Sequence, residues 1–334
     1  MKHHTLLLRV DPLDPETAAI SRAGEVIRQG GLVAFPTETV YGLGANALDA
    51  EAVRRIFAAK GRPLDNPIIV HVGRPDDLAT LVEDVPAQAF DLAETFWPGP
   101  LTLVLKKTAK VPDVVTAGQE TVAVRMPRNK VALALIRASG VPIAAPSANL
   151  SERPSSTTGD HVFHDLSGKI DLVLDAGPVE IGVESTVLDI STQPPAILRP
   201  GAVTAEDLEP IIGPVLMGAQ KEVLARSPGT RHRHYSPRAR VVLIEEEGPA
   251  AVERYTIEGG KIGIITRRPD LYPDDQAFVV QAMPADLEQY ARQMFAALRL
   301  LDEEGVSQII VAAVEETGIG VAIMDRLRRA ASDK

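Results

Sequence analysis

Lys60–His71, KGRPLDNPIIVH, gathers a lysine, an arginine, two prolines, an asparagine and a histidine around one short apolar run. An arginine beside a lysine on a constrained loop suits phosphate, because the guanidinium fork fixes orientation and the ammonium adds a point charge. The same pair also reads as a solvated basic turn. Other residues share that ambiguity. Thr37 and Thr39 offer hydroxyls, and His71 offers a switchable charge. Arg125 closes VAVR, and Arg199 precedes Pro200-Gly201. Ser147 and Asn149 end the run IAAPS-AN at a spacing that points both side chains to one side. Ser185 and Thr186 open STVLDIS. Singly, each is as readily a surface or strand-edge residue. Jointly they recur at strand ends, where open α/β sheets bind ligands.

The elements that carry them follow from periodicity. Val53, Ile56 and Phe57 have helical spacing, and Gly61 sits where that helix would stop, so Lys60 and Arg62 fall at a helix-to-strand junction. Ile68–Val70 reads as a buried strand. Residues 15–29 form an amphipathic helix closed by Gly30-Gly31, and Leu32–Phe35 a strand with Pro36 forcing an extended exit. PTETVYGLGANA is polar and glycine-punctuated, a loop. Further strands are predicted at LTLVLK, Thr121–Arg125, Pro142–Pro146, DLVLDAG, STVLDIS and AILRP. Helices are predicted at Lys130–Ala138, from Thr204, and in two short patterns ending at Phe96. That gives seven or eight strands and three to five helices over residues 13–210, an α/β or α+β domain. Residues 217–240, with RSPGTRHRHYSPRAR, read as a basic, polar linker that would not pack between two cores. Residues 241–334 read as a small doubly wound domain. Four parallel-type strands (VVLIE, KIGIIT, AFVVQA, QIIVAAV) alternate with helices at Pro284–Gly305 and Gly318–Ala331.

Composition narrows the function classes. The 334 residues are 45% hydrophobic and 24% charged, an ordinary globular balance. A net charge of −10 argues against coating nucleic acid or an anionic membrane, so any anion site must be local. There is no cysteine, which excludes disulfides and thiolate metal sites and fits a reducing cytoplasm. MKHHTLLLRV is too short in apolar residues for a signal-peptide core, and no apolar run nears the ~18 residues that span a bilayer. A cytoplasmic protein is expected. No P-loop, H-E-x-x-H or G-x-S-x-G occurs. Gly42, Gly44 and Ala47 match the G-x-G-x-x-A dinucleotide fingerprint, but Thr37–Tyr41 separates them from the preceding strand and the next strand ends at His71 instead of an acid.

FPTETVYGLGANA, Lys60-x-Arg62, FWPGPLTLVL, VAVRMP, Ser147-x-Asn149 and ESTVLDIS, in that order, resemble the YrdC-type threonylcarbamoyl-AMP synthases over about residues 13–205. SPGTRHRHYSP and the small domain after it resemble the longer, two-domain form. The resemblance implies a YrdC-like mixed twisted sheet with helices, a linker that closes as a lid, and a small Rossmann-like parallel α/β domain. It implies synthesis of L-threonylcarbamoyl-AMP and pyrophosphate from L-threonine, bicarbonate and ATP, with other proteins passing the group to a tRNA adenosine beside the anticodon. Thr39, His71, Arg125, Ala145 (through its backbone) and Ser185 would hold threonine. Arg62, Asn66, Thr121, Ser147, Ser155, Arg199 and Tyr235 would hold ATP. Lys60, Arg62, Ser147 and Asn149 would cancel charge where carbamate meets α-phosphate. Magnesium would travel with the triphosphate, with no dedicated protein ligands, and tRNA would bind only weakly or indirectly. Glu152 stands where the family usually has glycine, and Thr230 and His232 where Met and Tyr are common. Two rivals are a non-catalytic RNA-binding module, against which the net charge speaks, and a hydrogenase-maturation carbamoyl transferase, which needs cysteine-rich zinc motifs.

Overall fold

The computed structural model describes residues 4–218, 226–227, 234–255, 260–272 and 278–332. Strands β1 (Leu6–Arg9), β2 (Val33–Phe35), β3 (Gly42–Asn46), β4 (Val70–His71), β5 (Leu101–Lys106) and β6 (Thr121–Arg125) belong to one sheet. So do β7 (Ile143–Ala144), β8 (Leu172–Asp175), β9 (Thr186–Asp189), β10 (Ala196–Arg199) and β11 (Leu216–Met217). Among the described residues the sheet has eleven strands, ordered β1-β8-β2-β3-β7-β4-β6-β5-β9-β10-β11, and it mixes parallel and antiparallel pairs. Helices α1 (Thr17–Arg28), α2 (Ala50–Lys60), α3 (Leu78–Leu81), α4 (Ala87–Phe96), α5 (Asp113–Thr116), α6 (Lys130–Ser139), α7 (Gly159–Leu166) and α8 (Ala205–Ile212) accompany it.

The second sheet is wholly parallel: β12 (Arg240–Ile244), β13 (Ile262–Thr266), β14 (Phe278–Ala282) and β15 (Gln308–Ala312), in the order β12-β15-β13-β14. Its helices are α9 (Pro249–Tyr255), α10 (Leu287–Glu303) and α11 (Gly320–Ala331). β1, β3, β11, α5, α7 and α9 lie outside the elements predicted from sequence.

Local chemistry sets the elements. Asp49 caps α2 by accepting from the Glu51 and Ala52 amides, and Gly61 stops it with φ 63°, a left-handed cap that costs glycine nothing. The PTETVYGLGANA loop is shorter than expected, because Gly42 and Gly44 lie inside β3. A Cβ on Gly44 would meet Ile143 Cγ2 at 2.7 Å and Phe35 Cε1 at 2.8 Å, so these glycines serve close strand packing. They do not form a phosphate-binding turn. Predicted strands 68–70 and 142–146 shrink to the pairs of β4 and β7.

The two faces of the large sheet differ. Val70, Leu103, Val124 and Ala144 point into the main core with the helices. Their alternates Ile69, Val104 and Ala123 join Val187, Ala196 and Leu198 on the other face. This second face is the floor of the site.

Residues 217–240 depart from expectation where they are described. Tyr235 and Ser236 are buried, and Tyr235 stacks on Phe295 of α10 at 5.2 Å between centroids. Val40 and Val183 of the first domain share a single core cluster with Tyr235, Tyr290 and Phe295. The segment therefore packs between the two cores, because its one aromatic ring outweighs its polar neighbours. Thr230, Arg231, His232 and Arg233 lie outside the described residues. Glu152 takes φ 71°, the left-handed region where a glycine would be at ease, and its carbonyl accepts from Ser236 N at 2.7 Å. The loop keeps the glycine geometry at a cost of about 1 kcal/mol.

Candidate functional site

One cleft on the floor side is lined by Thr37, Thr39, Arg62, Ile69, His71, Arg125, Ala145, Ser147, Glu184, Ser185, Arg199, His234 and Tyr235, together with Val40, Tyr41, Gly42 and Pro146. Ten candidate site residues read from the sequence thus meet in it: Thr37, Thr39, Arg62, His71, Arg125, Ala145, Ser147, Ser185, Arg199 and Tyr235. The pairs Ile69/His71 and Ala145/Ser147 show why. Residues two apart on a strand share a face, so the cleft sits on the sheet surface and is not confined to strand ends.

His71 and Arg125 are in register on the parallel strands β4 and β6. Arg125 Nε donates to Gly99 O at 3.2 Å and Nη1 to Thr39 Oγ1 at 2.9 Å, while Nη2 lies 2.7 Å from Glu38 Oε1. Thr37 and Thr39 share a hydroxyl hydrogen bond of 2.8 Å. His71 is buried and edge-on to Phe35, and its Nδ1 has no hydrogen-bond partner among the described residues. Burial, and then the Arg125 charge, pull the His71 pKa down to about 3. The imidazole is therefore neutral at pH 7, a donor or acceptor instead of a cation.

That depression has a sign. Above pH 6.5 neither the folded nor the unfolded chain protonates this ring. Between 6.5 and about 3 only the unfolded chain does, so stability falls as pH drops through that window. His161, brought down to about 4 by burial first and Arg299 second, adds to the same acid loss. His71→Asn is expected to flatten the dependence by roughly 1 kcal/mol per pH unit. Urea midpoints at pH 7 and pH 5 measure it, and equal slopes in both proteins would show that His71 does not titrate this way.

Arg199 donates Nε and Nη2 to Ser185 O at 3.1 and 3.0 Å and Nη2 to Ser185 Oγ at 3.1 Å, and that hydroxyl also meets Thr102 Oγ1 at 2.7 Å. Arg62 donates to Asn66 O and Pro67 O at 3.2 and 2.8 Å, and burial pulls its pKa down to about 9. Asn66 Nδ2 meets His234 Nε2 at 3.2 Å, tying the Lys60–His71 stretch to the linker.

Five expected residues stand apart from the cleft wall. Lys60 is buried, with its ammonium on Ser147 O (2.5 Å) and Asn149 O, and burial above all holds its pKa well below the usual lysine value. Asn149 Nδ2 donates to Leu150 O at 2.7 Å and Arg153 O at 2.9 Å. Both side chains, expected beside the reacting phosphate, hydrogen-bond backbone carbonyls of the loop that carries Ser147. Ser147 and Asn149 thus part company, since β7 ends at Ala144 and strand alternation does not reach them. Ser155 donates to Glu184 Oε1 at 2.6 Å. Thr121 opens β6 on the same face as Ala123 and Arg125, about 13 Å along the strand from Arg125. Glu184, which lines the cleft, and Glu38, buried against Arg125, were not singled out from sequence. The only signal was adjacency, since each precedes a chosen hydroxyl residue, Thr39 or Ser185. No cluster of three or more His, Cys, Asp or Glu able to hold a metal exists among the described residues, and no described helix is long and apolar enough to cross a membrane.

The site thus lies on a mixed sheet whose open face carries buried guanidiniums and which is docked on a parallel α/β domain. A family model described as Telomere recombination (Sua5_yciO_yrdC) matches residues 25–201, and one described as Threonylcarbamoyl-AMP synthase, C-terminal domain, matches residues 203–332. The chain is 48% identical to the threonylcarbamoyl-AMP synthase of Pyrococcus abyssi over 92% of each sequence. It is 44% identical to that of Bacillus subtilis over 97% of this chain and 96% of the relative. A crystal structure of P. abyssi Sua5 complexed with L-threonine superposes with a TM-score of 0.91 at 45% identity, covering 98% of each chain. Escherichia coli YciO matches at a TM-score of 0.55 and 26% identity, covering 62% of this chain and 99% of its own. The chain belongs to the threonylcarbamoyl-AMP synthase family, as a two-domain member.

Proposed function

We propose that this enzyme makes L-threonylcarbamoyl-AMP and pyrophosphate from L-threonine, bicarbonate and ATP, for threonylcarbamoylation of tRNA. The observation that carries the reading is the cleft itself: the guanidiniums of Arg62, Arg125 and Arg199 and a partnerless imidazole nitrogen face one space with a single lining acid. Burial lowers the pKa values of Arg62 and Arg199, so the charged forms are costly until an anion arrives.

Threonine's amine attacks the bicarbonate carbon and water leaves, giving a carbamate. A carbamate oxygen then attacks the α-phosphorus of ATP, and pyrophosphate departs. Two anions must meet, so the work is positioning and charge cancellation, with no covalent nucleophile. Arg125, with Thr39, receives the threonine carboxylate. His71 Nδ1 and the Ala145 backbone take the polar groups at the other end, with Ser185 between. Arg62, Ser147 and Arg199 receive phosphates, with Tyr235 closing the wall and Asn66 holding the wall residue His234 from outside it. Thr121 lies on the face along which an extended nucleotide would run, and Ser155 acts there through Glu184. Lys60 and Asn149 contribute by fixing the Ser147 loop. The cleft's cationic lining repels a free dication, so magnesium enters on the triphosphate. The product passes to tRNA-modifying partner proteins in the cytoplasm. The arginines an RNA-binding face would expose are turned into this cleft, which favours catalysis over RNA binding.

Pyrophosphate is expected only when ATP, bicarbonate and threonine are all present. Serine, lacking one methyl, loses about 1–3 kcal/mol of discrimination. Full-rate release from ATP alone would sink the carbamate route.

A further inference from the structure

Arg326 is the largest fully buried side chain among the described residues, and it comes from α11 of the second domain. Its Nε donates to Glu184 Oε2 at 2.9 Å and Nη2 to Glu184 O at 3.5 Å. Its guanidinium carbon lies 5.7 Å from the centre of the Tyr235 ring. Glu184 is the one acid lining the cleft, and its other oxygen accepts from Ser155. A bare carboxylate there would repel a triphosphate, or capture the nearby Arg199. Burial pushes the Glu184 carboxyl up, but Arg326 and then Arg199 outweigh it and hold it below the usual carboxylate range.

We propose that Arg326 is a positioning residue for ATP: reaching in from the second domain, it neutralises Glu184 and leaves Arg199 to Ser185 and the phosphates. The inference rests on the proposed reaction and assigns the second domain a part in it. A purely structural Arg326 would glue the domains together without regard to which substrate binds. The two roles separate in kinetics. Asp325, the remaining partner of Arg326 at 2.8 Å, keeps Arg329, so removal of Arg326 strands only Glu184.

The experiment measures pyrophosphate release by the full chain. The wild type must first require all three substrates, and failure there overturns the proposed reaction, not this inference. Arg326→Met is expected to raise the ATP KM about tenfold or more, with the threonine KM moving less than about threefold. Arg326→Met with Glu184→Gln, which removes both charges, is expected to return the ATP KM to within about threefold of wild type. An unchanged ATP KM in the single variant, equal rises for both substrates, or a double variant no better than the single would overturn the proposal. Should the single variant fail to fold, the double is read alone. A near-wild-type ATP KM supports the role, whereas a raised KM or a second failure to fold overturns it.

Discussion

Arg125→Lys is expected to raise the threonine KM about a hundredfold while the ATP KM stays within about threefold. Arg125 lines the cleft and is held on three sides by Gly99 O, Thr39 Oγ1 and Glu38, which fixes the plane of its fork. A lysine keeps the charge but has one compact donor head. Glu38 is fully buried, and the ammonium would settle on that carboxylate because no water competes for it. Carboxylate recognition by a fork would then be lost, at a cost of about 2–3 kcal/mol. Initial rates at varied threonine and varied ATP separate the two constants. A threonine KM that does not move would return Arg125 to a scaffolding role under the Thr39 loop.

The largest stability effect is expected at Asp165, on α7. Its carboxylate is fully buried and accepts from Arg299 Nη2 at 2.8 Å, Arg153 Nη1 at 3.0 Å and Leu150 N at 3.1 Å. Arg299 belongs to α10, so this acid bolts the two domains together. Arg153 also reaches Asp302 at 3.3 Å, which in turn accepts from the Arg238 and Ala239 amides. Asp165→Ala would leave Arg299 buried with only Pro154 O and Ser156 Oγ to hold it. Breaking a buried pair from one side costs about 3–5 kcal/mol, which in a chain this size lowers Tm by roughly 4–7 °C. Asp165→Asn, which still accepts from Leu150 N, should fall between. Thermal melts of the three proteins decide the matter, and a loss below about 1 kcal/mol would mean that water screens the network after all.

The sequence was most legible where periodicity and backbone chemistry act locally. Thr121–Arg125 and the four parallel strands of the second domain follow from β-branched runs, and the end of α2 follows from Gly61. Residues whose role depends on distant partners were not legible in detail. Lys60 and Asn149 were grouped with Ser147, but nothing local says that their polar atoms face carbonyls. Glu38, Glu184 and Arg326 escaped notice because a buried charge looks like a surface one until its counter-ion, as much as 142 residues away, is known. Tyr235 was recognised, yet its polar neighbours disguised how deeply it packs.

Val40 and Val183 belong to the core that α10 and α11 complete. During synthesis they emerge long before that core exists, since the last helix ends at Ala331. At about 5–20 residues per second, the ribosome needs roughly ten seconds between releasing the first domain and releasing its cover. For that interval a nascent chain carries an apolar patch beside an unfinished nucleotide cleft. Its aggregation risk is therefore set by translation speed over residues 205–331 and by whatever chaperone shields the patch meanwhile. Slowing codons within that stretch would lengthen the exposure without changing a single amino acid.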